Sequence, residues 1–209
     1  MHLLGGGTVA AAVGGITGCS SSFPAESVAA WNGPRDDADL RRWALGYAIL
    51  APSPHNRQPW IADLREPDAI ALHVDRDRLL PETDPWFRQI MIGQGTFIEA
   101  LVLALRERGI APVVTLFPQG EFAPRAVDDR PVARIHWQPG AAAPAKDALF
   151  AQLRRRHTAK ADYDTTHPVA PRLLDELSAV LTDPDVACGA WLIGCICRPS
   201  SVALSCSRM

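Results

Sequence analysis

Apolar residues recur at helical spacing over residues 36–50, where Leu40, Trp43, Ala44, Tyr47 and Ala48 fall on one side of a helix. The acidic start at Asp36, Asp37 and Asp39 suits the positive end of the helix dipole, and Pro52 stops the helix. Trp60 to Arg65 and Ala69 to Asp75 read as short strands around the turn Glu66-Pro67-Asp68, with Ile70, Leu72 and Val74 alternating with small or polar neighbours. Leu79-Leu80-Pro81 and Thr83-Asp84-Pro85 form a rigid polar loop. A long helix comes next, from about Trp86 to Arg108. Its broad apolar stripe (Phe87, Ile90, Met91, Phe97, Ile98, Leu101, Val102, Leu105) predicts extensive burial, and Gly109 is placed to cap it. Gly93 and Gly95 sit inside this helix, where each costs about 1 kcal/mol relative to Ala. Their presence predicts a close approach by another helix or by a flat ligand. Pro112 to Phe117 and Pro131 to Trp137 are further strands; Ala145 to Arg156 and Pro171 to Leu181 are further helices, the second with Pro in its first turn. Helices alternating with strands predict an α+β layered domain.

The two ends of the chain break this pattern. Leu3 to Gly18 is small, apolar and uncharged, and ends in Ile16-Thr17-Gly18-Cys19. It is too short for an ordinary membrane span. It resembles the apolar region and lipobox of a bacterial lipoprotein signal, and Leu4 to Val9 resembles the segment after the paired arginines of a twin-arginine signal. Only Met1-His2 precede it, so the basic region of such a signal is expected upstream of Met1. The expectation is export, periplasmic or membrane-anchored, with Cys19 as the lipidation candidate; the alternative is a cytoplasmic protein. Cys188, Cys195, Cys197 and Cys206 crowd the last residues, where acidic side chains vanish. Their spacing does not match a zinc site. A shifted reading frame from about residue 187 accounts for the change better than a disulfide staple.

Composition excludes little else. The 209 residues are 47% hydrophobic and 21% charged, with a formal net charge of -2, so no general attraction to nucleic acid or anionic membrane is expected. The six histidines show no metal-ligand spacing, and neither a nucleophile elbow nor a phosphate-binding loop is present. The most informative segment is Ala51-Pro52-Ser53-Pro54-His55-Asn56-Arg57-Gln58-Pro59-Trp60. Each Pro fixes its own φ and pushes its predecessor toward extended geometry. Ser53, His55, Asn56 and Gln58 are thereby held on a stiff backbone, either as a Pro-rich surface turn or as ligand contacts. With the Gly-bearing helix and the basic cluster Arg154-Arg155-Arg156, they suit a flat, polar, anionic cofactor better than acid–base or metal catalysis.

The decapeptide, placed after a helix, resembles the flavin-binding opening of the nitroreductase family. The segment Thr83-Asp84-Pro85-Trp86-Phe87-Arg88-Gln89-Ile90-Met91-Ile92-Gly93-Gln94-Gly95 is similar to the Acg-like branch, which includes twin-arginine signal proteins. The stretch from Arg155 to Asp164 resembles the element that opens the second half of such proteins, with Lys160 where an Arg is usual. The resemblance implies a nitroreductase-like layered fold, an antiparallel-rich sheet packed by helices, with an incomplete second half. It divides the chain into a signal segment (1–22), a linker (23–35), a first half (36–142), the start of a second half (143–186) and an atypical Cys-rich tail (187–209).

The resemblance also implies FMN as cofactor, held between two nitroreductase halves. By position, Ser53, Asn56 and Gln58 would contact the isoalloxazine or ribityl chain. Arg41 or Arg42, with Arg156, would be candidates for the phosphate, and Arg88 and Gln94 would line or support the pocket. Hydride would pass from NAD(P)H through FMN to a nitroaromatic or quinone. That chemistry belongs to the flavin, so no protein catalytic residue and no metal is expected. Expected partners are NAD(P)H and a small aromatic acceptor, with no nucleic acid. Membrane attachment would come through the N-terminal signal or lipid, and a homodimer or a missing C-terminal half would complete the site. The alternatives are an FMN-binding or sequestering protein without turnover, or a truncated non-functional family member.

Overall fold

The computed structural model describes residues 24–34, 39–162, 164 and 166–180. The apolar leader with Cys19, most of the acidic start before Asp39, and the Cys-rich tail lie outside the described residues. The chain divides into two compact units, residues 1–158 and 159–209.

In the first unit a short helix α1 (Ala25–Val28) leads through a 3-10 turn to helix α2 (Leu40–Ala48). The four strands are β1 (Trp60–Asp63), β2 (Ala69–Val74), β3 (Val113–Leu116) and β4 (Ala133–His136), with helix α3 (Arg88–Glu107) between β2 and β3. The sheet order is β1-β2-β4-β3 and every pairing is antiparallel. This is an α+β architecture, as expected.

Strand alternation decides which face is covered. Ile70, Leu72 and Val74 of β2 point the same way as Ala133 and Ile135 of β4, and the register sets Ile70 opposite Ile135 and Leu72 opposite Ala133. Ile70, Leu72, Ala133 and Ile135 meet Trp43, Ala44 and Ala48 of α2 and Phe97, Leu101 and Leu105 of α3 in the main core, while Val74 joins a second cluster with Ile90 and Val132. On the alternating positions, Arg134 pairs with Glu66, and His73 Nδ1 lies 2.9 Å from the Asp129 carbonyl. The outer strand β3 is exposed along its whole length.

Helix α3 ends as its sequence predicts. Gly109 adopts φ +76°. Its N–H bonds the Arg106 carbonyl, and the Ile110 N–H bonds the Leu105 carbonyl at 3.0 Å, the paired pattern that satisfies the last carbonyls of a helix. Its start differs by two residues from the pattern-based boundary, because Phe87 takes a left-handed φ of 55° and the helix begins at Arg88. The helix expected over 145–156 is a single 3-10 turn, Ala148–Gln152. Phe150 and Leu153 are the residues of this stretch that pack on the core. Two core contacts three residues apart anchor only a short segment, so no apolar stripe drives the remaining residues into further helical turns. The second unit contains helix α4 (Pro171–Ala179), entered through Pro171, with Leu173 and Leu177 exposed.

Candidate functional site

The decapeptide between α2 and β1 is an ordered, strained loop. Ser53 is extended, Pro54–Asn56 make a 3-10 turn, and His55, Asn56 and Gln58 have φ values of 48°, 52° and 50°. Left-handed conformations in non-glycine residues cost energy and persist only where surrounding structure dictates them. Here several contacts do so. The Gln58 N–H donates to Ser53 Oγ at 3.0 Å, folding the loop on itself. The Arg57 guanidinium donates to the carbonyls of Asp77 and Arg78, and Arg78 donates back to the Arg57 carbonyl at 3.0 Å.

Helix α3 grips the loop from beneath. Thr96 Oγ1 shares its one proton between the Pro52 carbonyl at 2.9 Å and the Gly93 carbonyl at 2.8 Å, and Gln94 Nε2 donates to the Pro59 carbonyl at 2.6 Å. Between these two points the Pro54 ring sits against Gly93, where an added Cβ would lie 3.3 Å from Pro54 Cδ. The close approach expected at Gly93 is therefore made by the loop, neither by a helix nor by a ligand. At Gly95 an added Cβ would meet nothing within 4 Å, so this helix surface is open.

Ser53, Asn56 and Gln58 thus share one loop, with Gln94 fully buried at its base. No side-chain hydrogen bond is formed by Asn56 or Gln58 among the described residues. Ser53 Oγ accepts from within the loop and keeps its own proton to donate. Arg156 reaches the loop's entry, where its Nη2 donates to the Leu50 carbonyl at 2.9 Å. Arg88 is exposed at the first position of α3, where a cation gains nothing from the helix dipole.

Arg41, one of the two phosphate candidates near the start of α2, is tied into the fold. Its guanidinium forks onto the Asp39 carboxylate at 3.0 and 2.7 Å and donates to the carbonyls of Leu64 and Glu66, both at 2.9 Å. It joins the start of α2 to the turn after β1. The hydrogen bonds from its guanidinium and backbone N–H hold the Asp39 carboxyl at about 2, below its ordinary range. Arg42 is the exposed member of the pair.

Two supporting residues are not evident from the sequence pattern. Asp84, buried, accepts from the Ile90 N–H at 3.0 Å and caps α3 from within the preceding loop. An Asp ahead of a helix that lacks acidic residues in its first turn is a usable signal. Thr96 reads in sequence as an ordinary helical residue and gives no such signal. Gln94 Oε1 is buried without a hydrogen-bond partner. A half-satisfied buried amide costs about 1–3 kcal/mol relative to a paired one. A groove of about 620 Å³ runs beside β1, lined by residues including Ile61, Asp63, Arg65, His73 and Asp129, none of them from the loop. Among the described residues, no group of three or more His, Cys, Asp or Glu is placed to hold a metal ion.

No protein-family profile matches the chain. It is 33% identical over 135 residues, 65% of its length, to "Putative NAD(P)H nitroreductase Rv3131" of Mycobacterium tuberculosis (strain ATCC 25618 / H37Rv). It is 35% identical over 80 residues, 38% of its length, to "Putative NAD(P)H nitroreductase acg" of the same strain. It is 37% identical over 79 residues, 36% of its length, to "Uncharacterized protein Rv3127", again from that strain. The matched part of the chain spans 37% of the length of Rv3131 and 24% of that of acg. These similarities support kinship with nitroreductase-type oxidoreductases.

Proposed function

We propose that this chain binds FMN along the 52–59 loop and works as a nitroreductase-type NAD(P)H oxidoreductase. The observation that carries the proposal is the loop itself. Three left-handed residues are held in place from α3 and the 76–78 turn, leaving the Asn56 and Gln58 side chains without hydrogen-bond partners in the described chain. The choice of FMN as its ligand draws support from similarity to proteins named putative NAD(P)H nitroreductases.

The residues present suit a flavin edge. The Asn56 and Gln58 amides each offer a donor and an acceptor, matching the alternating polar edge of an isoalloxazine, and Ser53 adds a hydroxyl donor. Arg156, bonded to the carbonyl just before the loop, and the exposed Arg42 and Arg88 are the cations proposed for the phosphate. Arg41 is left out, since most of its donors are already engaged. Bound FMN would supply the redox chemistry, passing a hydride equivalent from NAD(P)H to a nitroaromatic or quinone. The protein's part is to orient the ring and restrict water at one edge.

Titration of purified protein with FMN, followed by quenching of flavin fluorescence, tests the reading. Saturable binding, together with NADPH oxidation dependent on menadione or a nitroaromatic, is the expected result. Absence of saturable FMN binding sinks it, and binding without any NADH or NADPH oxidation reduces it to FMN sequestration.

A further inference from the structure

We infer that Gln94 is a positioning residue: through the Pro59 carbonyl, its buried amide sets the exit of the 52–59 loop and thereby the left-handed conformations of Asn56 and Gln58. The inference uses the FMN reading only for the ligand those residues would meet. The effect on the loop is independent of it.

Three features separate this role from ordinary core stabilisation. First, Gln94 is 0% exposed and its Oε1 has no donor, so an apolar side chain of similar length would fill the same space without an orphaned atom. Second, the Pro59 carbonyl does not need Gln94 for satisfaction, because the Asp75 N–H also donates to it at 3.1 Å. What the second donor adds is direction. Two donors, Asp75 just after β2 and Gln94 in the second turn of α3, fix where that carbonyl points. Third, the peptide orientation at Pro59 is coupled to its neighbours. Gln58, immediately before it, is left-handed, and the Gln58 carbonyl accepts from the Trp60 N–H at 3.0 Å. At the other end, Thr96 Oγ holds the Pro52 carbonyl, with Pro54 laid on Gly93 between them. A helix segment of four residues therefore holds the entry, middle and exit of the loop. Strained backbone of this kind lasts only where it is over-determined.

The test uses the full chain with Gln94→Met, which keeps length and bulk while removing the amide, and Thr96→Val as an independent loosening of the other end. Three measurements are made: thermal unfolding, the rate of trypsin cleavage after Arg57 in FMN-free protein, monitored by mass spectrometry, and FMN affinity. For Gln94→Met we expect a Tm equal to or above that of the parent, cleavage at Arg57 faster by about tenfold, and FMN binding weaker by about tenfold, the scale of one hydrogen bond. Thr96→Val should likewise accelerate cleavage at Arg57. Unchanged cleavage at Arg57 in Gln94→Met overturns the inference, and so does a fall in Tm that accounts for the looser loop. Faster cleavage in a protein whose parent form fails to bind FMN upholds the positioning role and removes the flavin reading alone.

Discussion

The Asp84 carboxylate accepts the Ile90 N–H at 3.0 Å, closing the start of α3 from six residues upstream. Phe87, at the formal cap position, is left-handed and offers no side-chain oxygen, so Asp84 takes over the capping role and brings a negative charge to the positive end of the helix. Asp84→Ala is expected to lower stability by about 2 kcal/mol, since it removes a charged acceptor from a buried N–H. Urea denaturation measures this; an unchanged midpoint would mean that Ile90 finds another partner. Asp84→Asn should cost less, because the amide oxygen still accepts.

Two glycines of α3, two positions apart, predict opposite outcomes. At Gly95 an added methyl meets nothing within 4 Å, so Gly95→Ala should stabilise the protein by about 1 kcal/mol through helix propensity alone. At Gly93 the same methyl comes within 3.3 Å of the Pro54 ring, and the loop must move to admit it. Gly93→Ala should therefore forfeit the propensity gain and weaken FMN binding. Comparing the two melting temperatures with the parent checks the contrast.

Asn56 separates ligand contact from loop stability. Its φ of 52° would strain an alanine, so Asn56→Gly is the informative change: it keeps the backbone accessible and removes the amide. FMN affinity is expected to fall by about 1 kcal/mol, the worth of one or two hydrogen bonds, while Tm shifts by far less than in Ser53→Ala. Ser53→Ala removes the acceptor of the Gln58 N–H and should lower both. Equal FMN affinity for Asn56→Gly and the parent would place the Asn56 amide away from the ligand.

Acid sensitivity arises at Asp39 and Asp63. Hydrogen bonds from Arg41 hold the Asp39 carboxyl at about 2, and hydrogen bonds from Arg65 hold that of Asp63 at about 2. Both values lie below the unfolded value of about 3.9. A depressed folded value contributes stability that is fully present above the unfolded value and is lost as pH falls through the folded one. Stability should thus decline between about pH 4 and pH 2. Asp39→Asn should lower stability at neutral pH and flatten part of that decline. Both carboxylates are solvent-accessible, so screening keeps the effect small. Denaturant midpoints measured across this range for parent and variant supply the test.

Much of the fold was legible because it rests on local periodicity. The alternation of Ile70, Leu72 and Val74, the stripe from Ile90 to Leu105 and the glycine at 109 each state their structure within a few residues. The 3-10 turn at 148–152 was not legible, because its short length results from which two side chains reach the core. The loop was recognisable as a stiff polar element from its three prolines. Its strained conformations were not, since prolines restrict φ without choosing a left-handed value for His55, Asn56 or Gln58.

By itself, the amino-acid sequence determined most of the elements, the polar loop and the residue types available to a ligand, because these depend on spacing and on each side chain's chemistry. Only the tertiary structure decided the strand order β1-β2-β4-β3, the tie of Arg41 to the carbonyls of Leu64 and Glu66, and the grip of Gln94 and Thr96 on the loop. Those pairings join positions far apart in the chain. Several donors and acceptors compete for each, and which of them meet is settled when α2 and α3 bury their apolar stripes on the sheet.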